Sequence, residues 1–397
     1  MREKVLIREF EPERDVEGVE AVERMCEVGP SGKLSLFTHL LGDPLSRVRH
    51  SPSFLMLVAE SSGEIVGVVR GCVKTATCGR KPSRSSSGAK NCTPVYTKLA
   101  YLLGLRVSPS HRRRGIGLNL VQRMEDWFRA KGAEYAYMAT DPTNSASLCL
   151  FTHRCRYTQF RTPSILVQPV FAHRLPLGRR ADLFSLPPSD AEALYRRRFS
   201  TIEFFPRDID AVLRNPLNLA TILAVPRGWN WPGSVDRFLT EPPESWAVLS
   251  VWNCKDVFRL EVRGAGRVRQ GLARLSRAVD RAFPFMRLPS VPDIFRPFGL
   301  YLLYGMGGDG PQAAEMVRML CRHAHNMARE SRECRVVATE VAPEDPLRRG
   351  IPHWSRLSCA EDLWCVKRLV EEYSDGAVGD WTKAPPGKSI FLDPREF

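Results

Sequence analysis

The stretch that most constrains this 397-residue chain runs from Leu99 to Phe128. Leu99 to Val107 is an apolar run with the length and β-branched finish of a buried strand; from Ile116 onward, Leu120, Val121, Met124, Trp127 and Phe128 recur at helical spacing. A strand must therefore hand over to a helix through Ser108-Pro109-Ser110-His111-Arg112-Arg113-Arg114-Gly115. Gly115 and Gly117 let a ligand approach the backbone closely, and unpaired N–H groups at a helix start beside three arginines make a site for a diphosphate. An ordinary strand–turn–helix with a basic surface turn fits the same residues, so the flanking elements have to decide.

The spacing Arg112-x-x-Gly115-x-Gly117, five residues beyond Val107, resembles the GCN5-related N-acetyltransferase (GNAT) family. The resemblance implies that Arg112, Arg113, Arg114, Gly115, Ile116, Gly117 and Leu118 cradle the pyrophosphate of acetyl-CoA. It also implies that backbone groups of Leu105 and Val107 hold the pantetheine arm and polarise the thioester carbonyl. The flanking elements agree. Val5 to Phe10 reads as a strand, Asp15 as an N-cap, and Val16, Val19, Val22 and Met25 as a helix. Residues 29–53 read as a short helix between turn clusters, and Phe54–Glu60 and Glu64–Val73 as a hairpin. Lys74 to Lys98 is rich in Lys, Arg, Ser and Gly and reads as a flexible basic loop, either a solvated hairpin extension or a contact for an acidic partner.

Ala133 to Thr140 forms the next strand, and Asp141-Pro142-Thr143-Asn144 turns into a helix from Ser145 to Arg154. In the family, the strands on either side of the cofactor loop splay to admit the pantetheine. An Asn near the start of the following helix positions the cofactor, which Asn144 fits. A Tyr seven residues later commonly protonates the leaving thiolate. Phe151 stands there and cannot. The unperturbed thiol pKa is about 8.5, so the thiolate leaves tolerably without that acid.

Residues 180–397 repeat the order of the first half: strand at Ala181–Leu186, helix through Phe199, strands at Leu217–Val225 and Trp246–Trp252. Phe298 to Tyr304 then enters Gly305-Met306-Gly307-Gly308-Asp309-Gly310, followed by a helix from Gln312 to Arg329 and a strand from Arg335 to Val341. The expected architecture is an α/β mixed sheet of the acyl-CoA N-acyltransferase (GNAT) type in two tandem copies, 1–175 carrying the acetyl-CoA site and 176–397 degenerate, structural or partner-binding. The second Gly-rich segment lacks a preceding Arg, and Asp309 would place a carboxylate where phosphate charge should sit.

The net charge of +14 favours a polyanionic ligand, and the first half carries most of it: 26 Lys and Arg against 16 Asp and Glu within residues 1–175. Nothing resembles a signal peptide or membrane-spanning run, so the chain reads as intracellular, in nucleus or cytoplasm. Eleven cysteines without a C-x-x-C pair suit free thiols, and no metal-ligand spacing appears. No nucleic-acid motif or aromatic–basic interleaving is present, making direct nucleic-acid binding an unfavoured reading of the charge.

The whole chain also resembles the plant hookless-type N-acetyltransferases, through Arg161-Thr162-Pro163-Ser164-Ile165-Leu166-Val167, the run Arg198 to Asp210, and Val225-Pro226-Arg227-Gly228. That resemblance implies acetyl transfer to an amine of a protein or small molecule, in a setting of ethylene- and auxin-governed differential growth. The alternative is an acyl-CoA-binding regulatory protein that has lost catalysis. A base is the missing part. No acid lies on the Leu99–Val107 strand, leaving Asp141, which equally suits a helix-start cap, and Tyr101, which equally suits packing.

Overall fold

The computed structural model describes residues 5–26, 34–82, 92–331, 333–371 and 379–397. The first half opens with β1 (Val5–Glu9), α1 (Pro12–Met25), β2 (Ser35–His39), β3 (Ser53–Ser61), β4 (Glu64–Pro82) and β5 (Cys92–Val107). Then come α2 (Ile116–Ala130), β6 (Tyr135–Thr140), α3 (Ser145–Leu148), continued as a π-helical turn over Cys149–Arg154, and β7 (Thr158–Arg161). The apolar stripe read from the sequence packs α2 onto the sheet: Ile116, Leu120, Val121, Met124 and Phe128 are buried. Asp15 is not the N-cap. It lies inside α1, where its carboxylate accepts the Glu11 N–H at 2.8 Å and pairs with Arg8.

β8 (Ser164–Pro169) ends the first half, and the second half supplies β9 (Ala181–Leu186), α4 (Pro188–Phe199), α5 (Ile209–Leu213), β10 (Asn218–Pro226), α6 (Val235–Thr240) and β11 (Trp246–Asn253). It continues with β12 (Arg259–Arg263), α7 (Arg267–Ala282), β13 (Gly299–Asp309), α8 (Ala313–Glu330), β14 (Cys334–Val341) and β15 (Leu363–Arg368). Among the described residues the strands form sheets of order β1-β3-β4-β5-β6-β15-β7 and β8-β14-β13-β11-β10-β9, with β12 and β2 as a separate pair. Sheet membership crosses the halves: β15 inserts between β6 and β7, and β8 borders β14.

Both sheets carry one device at one place. In β4 and β5 the register runs Val68↔Arg106 then Arg70↔Leu103, so Val69 faces Gly104 and Leu105 together. In β11 and β13 it runs Val248↔Gly307 then Ser250↔Tyr304, so Leu249 faces Gly305 and Met306. Each is a β-bulge with a left-handed glycine, Gly104 at φ +61° and Gly305 at φ +58°. Parallel pairing to the following strand stops three residues earlier in both, at Tyr101↔Tyr137 and at Leu302↔Ala338. The two halves are tandem copies of one fold.

Three further expectations are corrected. The segment 74–98 is no loop: β4 runs to Pro82, β5 starts at Cys92, and only residues 83–91 fall outside the described residues. Lys74 is buried, its burial offset by Asp393 at 3.1 Å and Glu396 at 2.5 Å, and the backbones of Thr75 and Thr77 bond to the 204–207 segment. Residues 34–53 hold a strand and turns rather than a helix, because β2 finds β12 more than two hundred residues away; 27–33 lie outside the described residues. The Gly305–Gly308 run is strand. A Cβ at Gly305 would come within 2.5 Å of the Tyr195 hydroxyl, and one at Gly307 within 2.1 Å of the Phe199 ring, so these glycines bring α4 against β13.

Arg70 fills the space the first bulge opens. It is fully buried, donating to Glu23 Oε1 at 2.7 Å and to the Pro44 carbonyl at 2.6 Å, and a Cβ at Gly104 would meet its Nη1 at 2.7 Å. Removing one partner of a buried pair strands the other charge. Arg70→Met is therefore expected to lower the unfolding free energy by about 3–5 kcal/mol in urea titrations, and Glu23→Gln in the same chain to recover part of it.

Candidate active site

The loop between β5 and α2 is built as an anion cradle. Pro109–His111 form a 3-10 turn, Arg113 takes φ +62°, and Gly115 caps α2 at φ +84°, where a Cβ would find no atom within 4 Å. Arg112, Arg113, Arg114 and Gly115 are exposed. Arg112 Nε donates to the Val107 carbonyl at 3.2 Å, which holds that side chain over the end of β5. Ile116 is a core residue, so it presents only backbone to the loop; Gly117 and Leu118 follow, partly buried. The first N–H groups of a helix have no intrahelical acceptor, and here three cationic side chains stand beside them.

The groove leading from this cradle is set by pairing geometry. Ser108 N bonds Val66 O at 2.8 Å, so hydrogen bonds alternate to Arg106↔Val68 and leave the Val107 backbone directed away from β4. The side chains of Leu105 and Val107 both lie beneath Gly117, 4.0 and 3.7 Å from where its Cβ would be. They share a face, so the Leu105 N–H points the same way, into the wedge where β6 has parted from β5. Asn144 caps α3, accepting from Ser147 N at 3.1 Å, at the rim. Phe151 is buried in the core edge-to-face with Tyr157, their centroids 5.3 Å apart.

The equivalent wedge in the second half is filled. Thr339 Oγ1 donates to the Leu303 carbonyl at 2.8 Å just beyond the last parallel pair. Its loop is only residues 310–312: Gly310 N bonds the Asp309 carboxylate, Gln312 N bonds Ser245 Oγ, and Pro311 has no N–H. No free donors face outward there among these three.

Asp141 directly follows β6, and Tyr101 lies on β5 at its last parallel pair with β6. Asp141 Oδ1 accepts from Thr143 N at 2.7 Å and from its hydroxyl at 2.5 Å, capping the turn before α3. Tyr101 stacks on Tyr137 at 4.6 Å, partly buried, with burial raising its phenol above the ordinary range.

Beyond the end of β6 lies a group of carboxylates that no sequence pattern brings together. The Trp364 indole N–H is shared by Glu340 Oε1 at 3.1 Å and Asp362 Oδ2 at 3.2 Å. The β6–β15 register, Leu363↔Thr140, sets Asp362 opposite Asp141. Glu396 accepts from Tyr137 Oη at 2.5 Å on the same side. Burial first, and the neighbouring carboxylate second, push Glu340 well above the carboxylate range; burial, with Asp141 adding to it, pushes Asp362 up to about 6. Two acids that cannot both ionise hold a proton near neutral pH, which is what an acid–base group requires. Both residues belong to the second half and reach the first through β14 and β15.

Residues 24–155 match the Acetyltransferase (GNAT) family. The chain is 63% identical over 403 residues to "Probable N-acetyltransferase HLS1" of Arabidopsis thaliana, covering 99% of this chain and 100% of the relative. It is 43% identical over 439 residues to "Acetyl transferase GW6a" of Oryza sativa subsp. japonica, covering 100% and 98%. Among solved structures, Saccharomyces cerevisiae N-myristoyltransferase with bound myristoyl-CoA shares the fold at a TM-score of 0.53 and 10% identity, over 92% of this chain and 79% of that one.

The carboxylate pair sets a pH signature. Its folded pKa values lie above the unfolded ones, so its contribution to stability is full below about pH 4 and is lost as pH rises through about 6. Glu340→Gln keeps the indole acceptor and removes one titrating partner. Between pH 5 and pH 8 the urea midpoint of the unmodified protein should fall relative to that of the variant; parallel curves would contradict the shared proton.

Proposed function

The chain belongs to the acetyltransferase (GNAT) family, and from that premise we propose that it transfers the acetyl group of acetyl-CoA to a cationic amine of a protein or small molecule. We place one acyl-CoA site in the chain, in the half spanning residues 1–175, with 176–397 closing the acceptor side. The observation that carries this reading is the conjunction of an open anion cradle at Arg112–Leu118 with the unpaired wedge between β5 and β6.

In this mechanism Arg112, Arg113 and Arg114 and the N–H groups from Gly115 to Leu118 bind the pyrophosphate. The N–H groups of Leu105 and Val107 hold the pantetheine arm and the oxyanion that forms when the amine attacks the thioester carbon. Asn144 steadies the arm at the rim. An amine reaches the enzyme as ammonium and must lose a proton before attack. The Glu340–Asp362 pair, with Asp141 and Glu396 beside it, attracts the cation and receives that proton; Asp141 serves as turn cap and charge rather than as base. When the tetrahedral adduct collapses, the C–S bond breaks and the second amine proton passes through water to the departing sulfur, so that CoA leaves as the thiol, since Phe151 has no proton to give. The resemblance to the hookless-type proteins supports hormone-linked differential growth as the setting.

Calorimetry should give a CoA dissociation constant at least tenfold weaker for Gly115→Glu, which strains a left-handed position and places an anion in the cradle. Labelled acetyl transfer to a panel of peptide and small-amine acceptors should disappear with it. CoA binding with transfer to no acceptor would favour the regulatory acyl-CoA-binding reading instead. Glu340→Gln should lower kcat by about 10²–10⁴-fold and remove the acid limb from the pH–rate profile while CoA affinity stays unchanged. A profile that keeps its apparent pKa in that variant would remove the pair from the mechanism.

A further inference from the structure

α7 is amphipathic the wrong way round for a helix packed on a protein. Ala273 and Asp280 face the body, where Asp280 pairs with His173 Nδ1 at 2.7 Å, accepts from Ala172 N at 2.7 Å and bonds Ser290 Oγ. Arg277, on the same side, donates to the Val170 carbonyl at 2.5 Å. The helix is thus anchored through polar groups. Its apolar stripe is Val268, Leu272, Leu275 and the half-buried Val279, with Val268 77% and Leu272 and Leu275 each 61% exposed. Seven of the thirteen exposed large apolar side chains among the described residues fall between Val268 and Leu288.

The spacing of the stripe is specific. Steps of four, three and four residues are those of a helix–helix seam. Along one flank Arg267, Arg274 and Arg281 recur every seven residues, all exposed and none in an ion pair among the described residues. Between that rail and the seam lie Gly271 and Ala278, both exposed and both small enough to let a second helix approach. A membrane surface does not call for heptad spacing. A second copy of this chain would set one arginine rail against another on proteins of charge +14.

We propose that α7 is a docking helix for an acidic amphipathic α-helix of a partner protein, whose apolar seam lies on Val268, Leu272, Leu275 and Val279 and whose Asp or Glu column pairs with Arg267, Arg274 and Arg281. Guanidinium–carboxylate pairing at this rim sets the register and speeds encounter, and the seam carries the affinity. The site stands apart from the acyl-transfer machinery and does not depend on the assignment made for it.

The test uses the full chain and a labelled three-heptad peptide with Leu at its a and d positions and Glu on both flanks, read by fluorescence anisotropy at 50 and 300 mM salt. Saturable binding is expected, weakened at least tenfold by Leu272→Ser with Leu275→Ser and by the higher salt. Arg267→Glu, Arg274→Glu and Arg281→Glu together should abolish it and create binding to the same peptide carrying Lys in place of Glu. All these positions are exposed, and circular dichroism melting verifies that each variant is folded. Equal binding of the Glu and Lys peptides, or none of either, overturns the proposal. So does binding to phosphatidylserine vesicles without the peptide, or self-association lost in the Leu272→Ser, Leu275→Ser variant.

Discussion

The candidate site depends on a strand that stops pairing with its neighbour. β5 and β6 share three parallel residue pairs and then diverge, exposing N–H and C=O groups that a continuous sheet would satisfy. Such a gap does not persist in a sheet of good strand formers unless something holds it open. The bulge at Gly104 changes the direction of β5, and the buried Arg70 occupies the volume beneath it, fixed by Glu23 and the Pro44 carbonyl. The guanidinium is expensive to bury, and its two partners make the position tolerable while removing any conformation in which β5 could run straight. Charge in the core thereby decides where backbone donors are free at the surface.

Strand exchange gives that wedge its second wall. Neither half closes its own sheet: β15 reaches from the second half to pair with both β6 and β7, and β8 reaches the other way to β14. The segment 393–396 adds a buried polar lock. Lys74, from β4, meets Asp393 and Glu396; Arg395 meets Asp393 and Asp208; Tyr137 donates to Glu396. Every charge in this lock has a partner of opposite sign, so the interface excludes water without leaving a buried charge alone. A consequence is cooperativity between the halves, since loosening the lock uncovers Lys74 in the interior of the first sheet.

The legible parts of the sequence were those governed by local periodicity. The Leu99–Phe128 strand, loop and helix, the order of elements in each half, and the capping role of Asp141 all follow from short stretches read locally. What failed did so for lack of locality. Lys74 reads as a loop residue because its counter-charges lie more than three hundred positions away. The glycines at 305–308 read as a loop because glycine marks turns more often than close packing, and only the rings of Tyr195 and Phe199 show why no side chain fits. Glu340 and Asp362 had no signal at all. Each is a single acid at the edge of an apolar strand, and only the crossing of β15 into the first sheet brings them to the same indole.

That crossing also explains why a copy that does not present the cradle remains bound to one that does. The second loop is three residues long with the Gly310 and Gln312 N–H groups already bonded, and Thr339 bridges to the Leu303 carbonyl where the second pair of strands parts. Were the second half only a relic, its strands could drift freely. They cannot, because Glu340 on β14 and Asp362 just before β15 stand beyond the end of β6, and β15 is an interior strand of the first sheet, held between β6 and β7. In the proposed reaction one half keeps donors for a polyanion and the other supplies acids for a cation. These demands are electrostatically opposed: arginines set directly beside the acids would hold them ionised and remove the shared proton. Separating them onto two halves joined by exchanged strands is what the proposed reaction asks of this architecture.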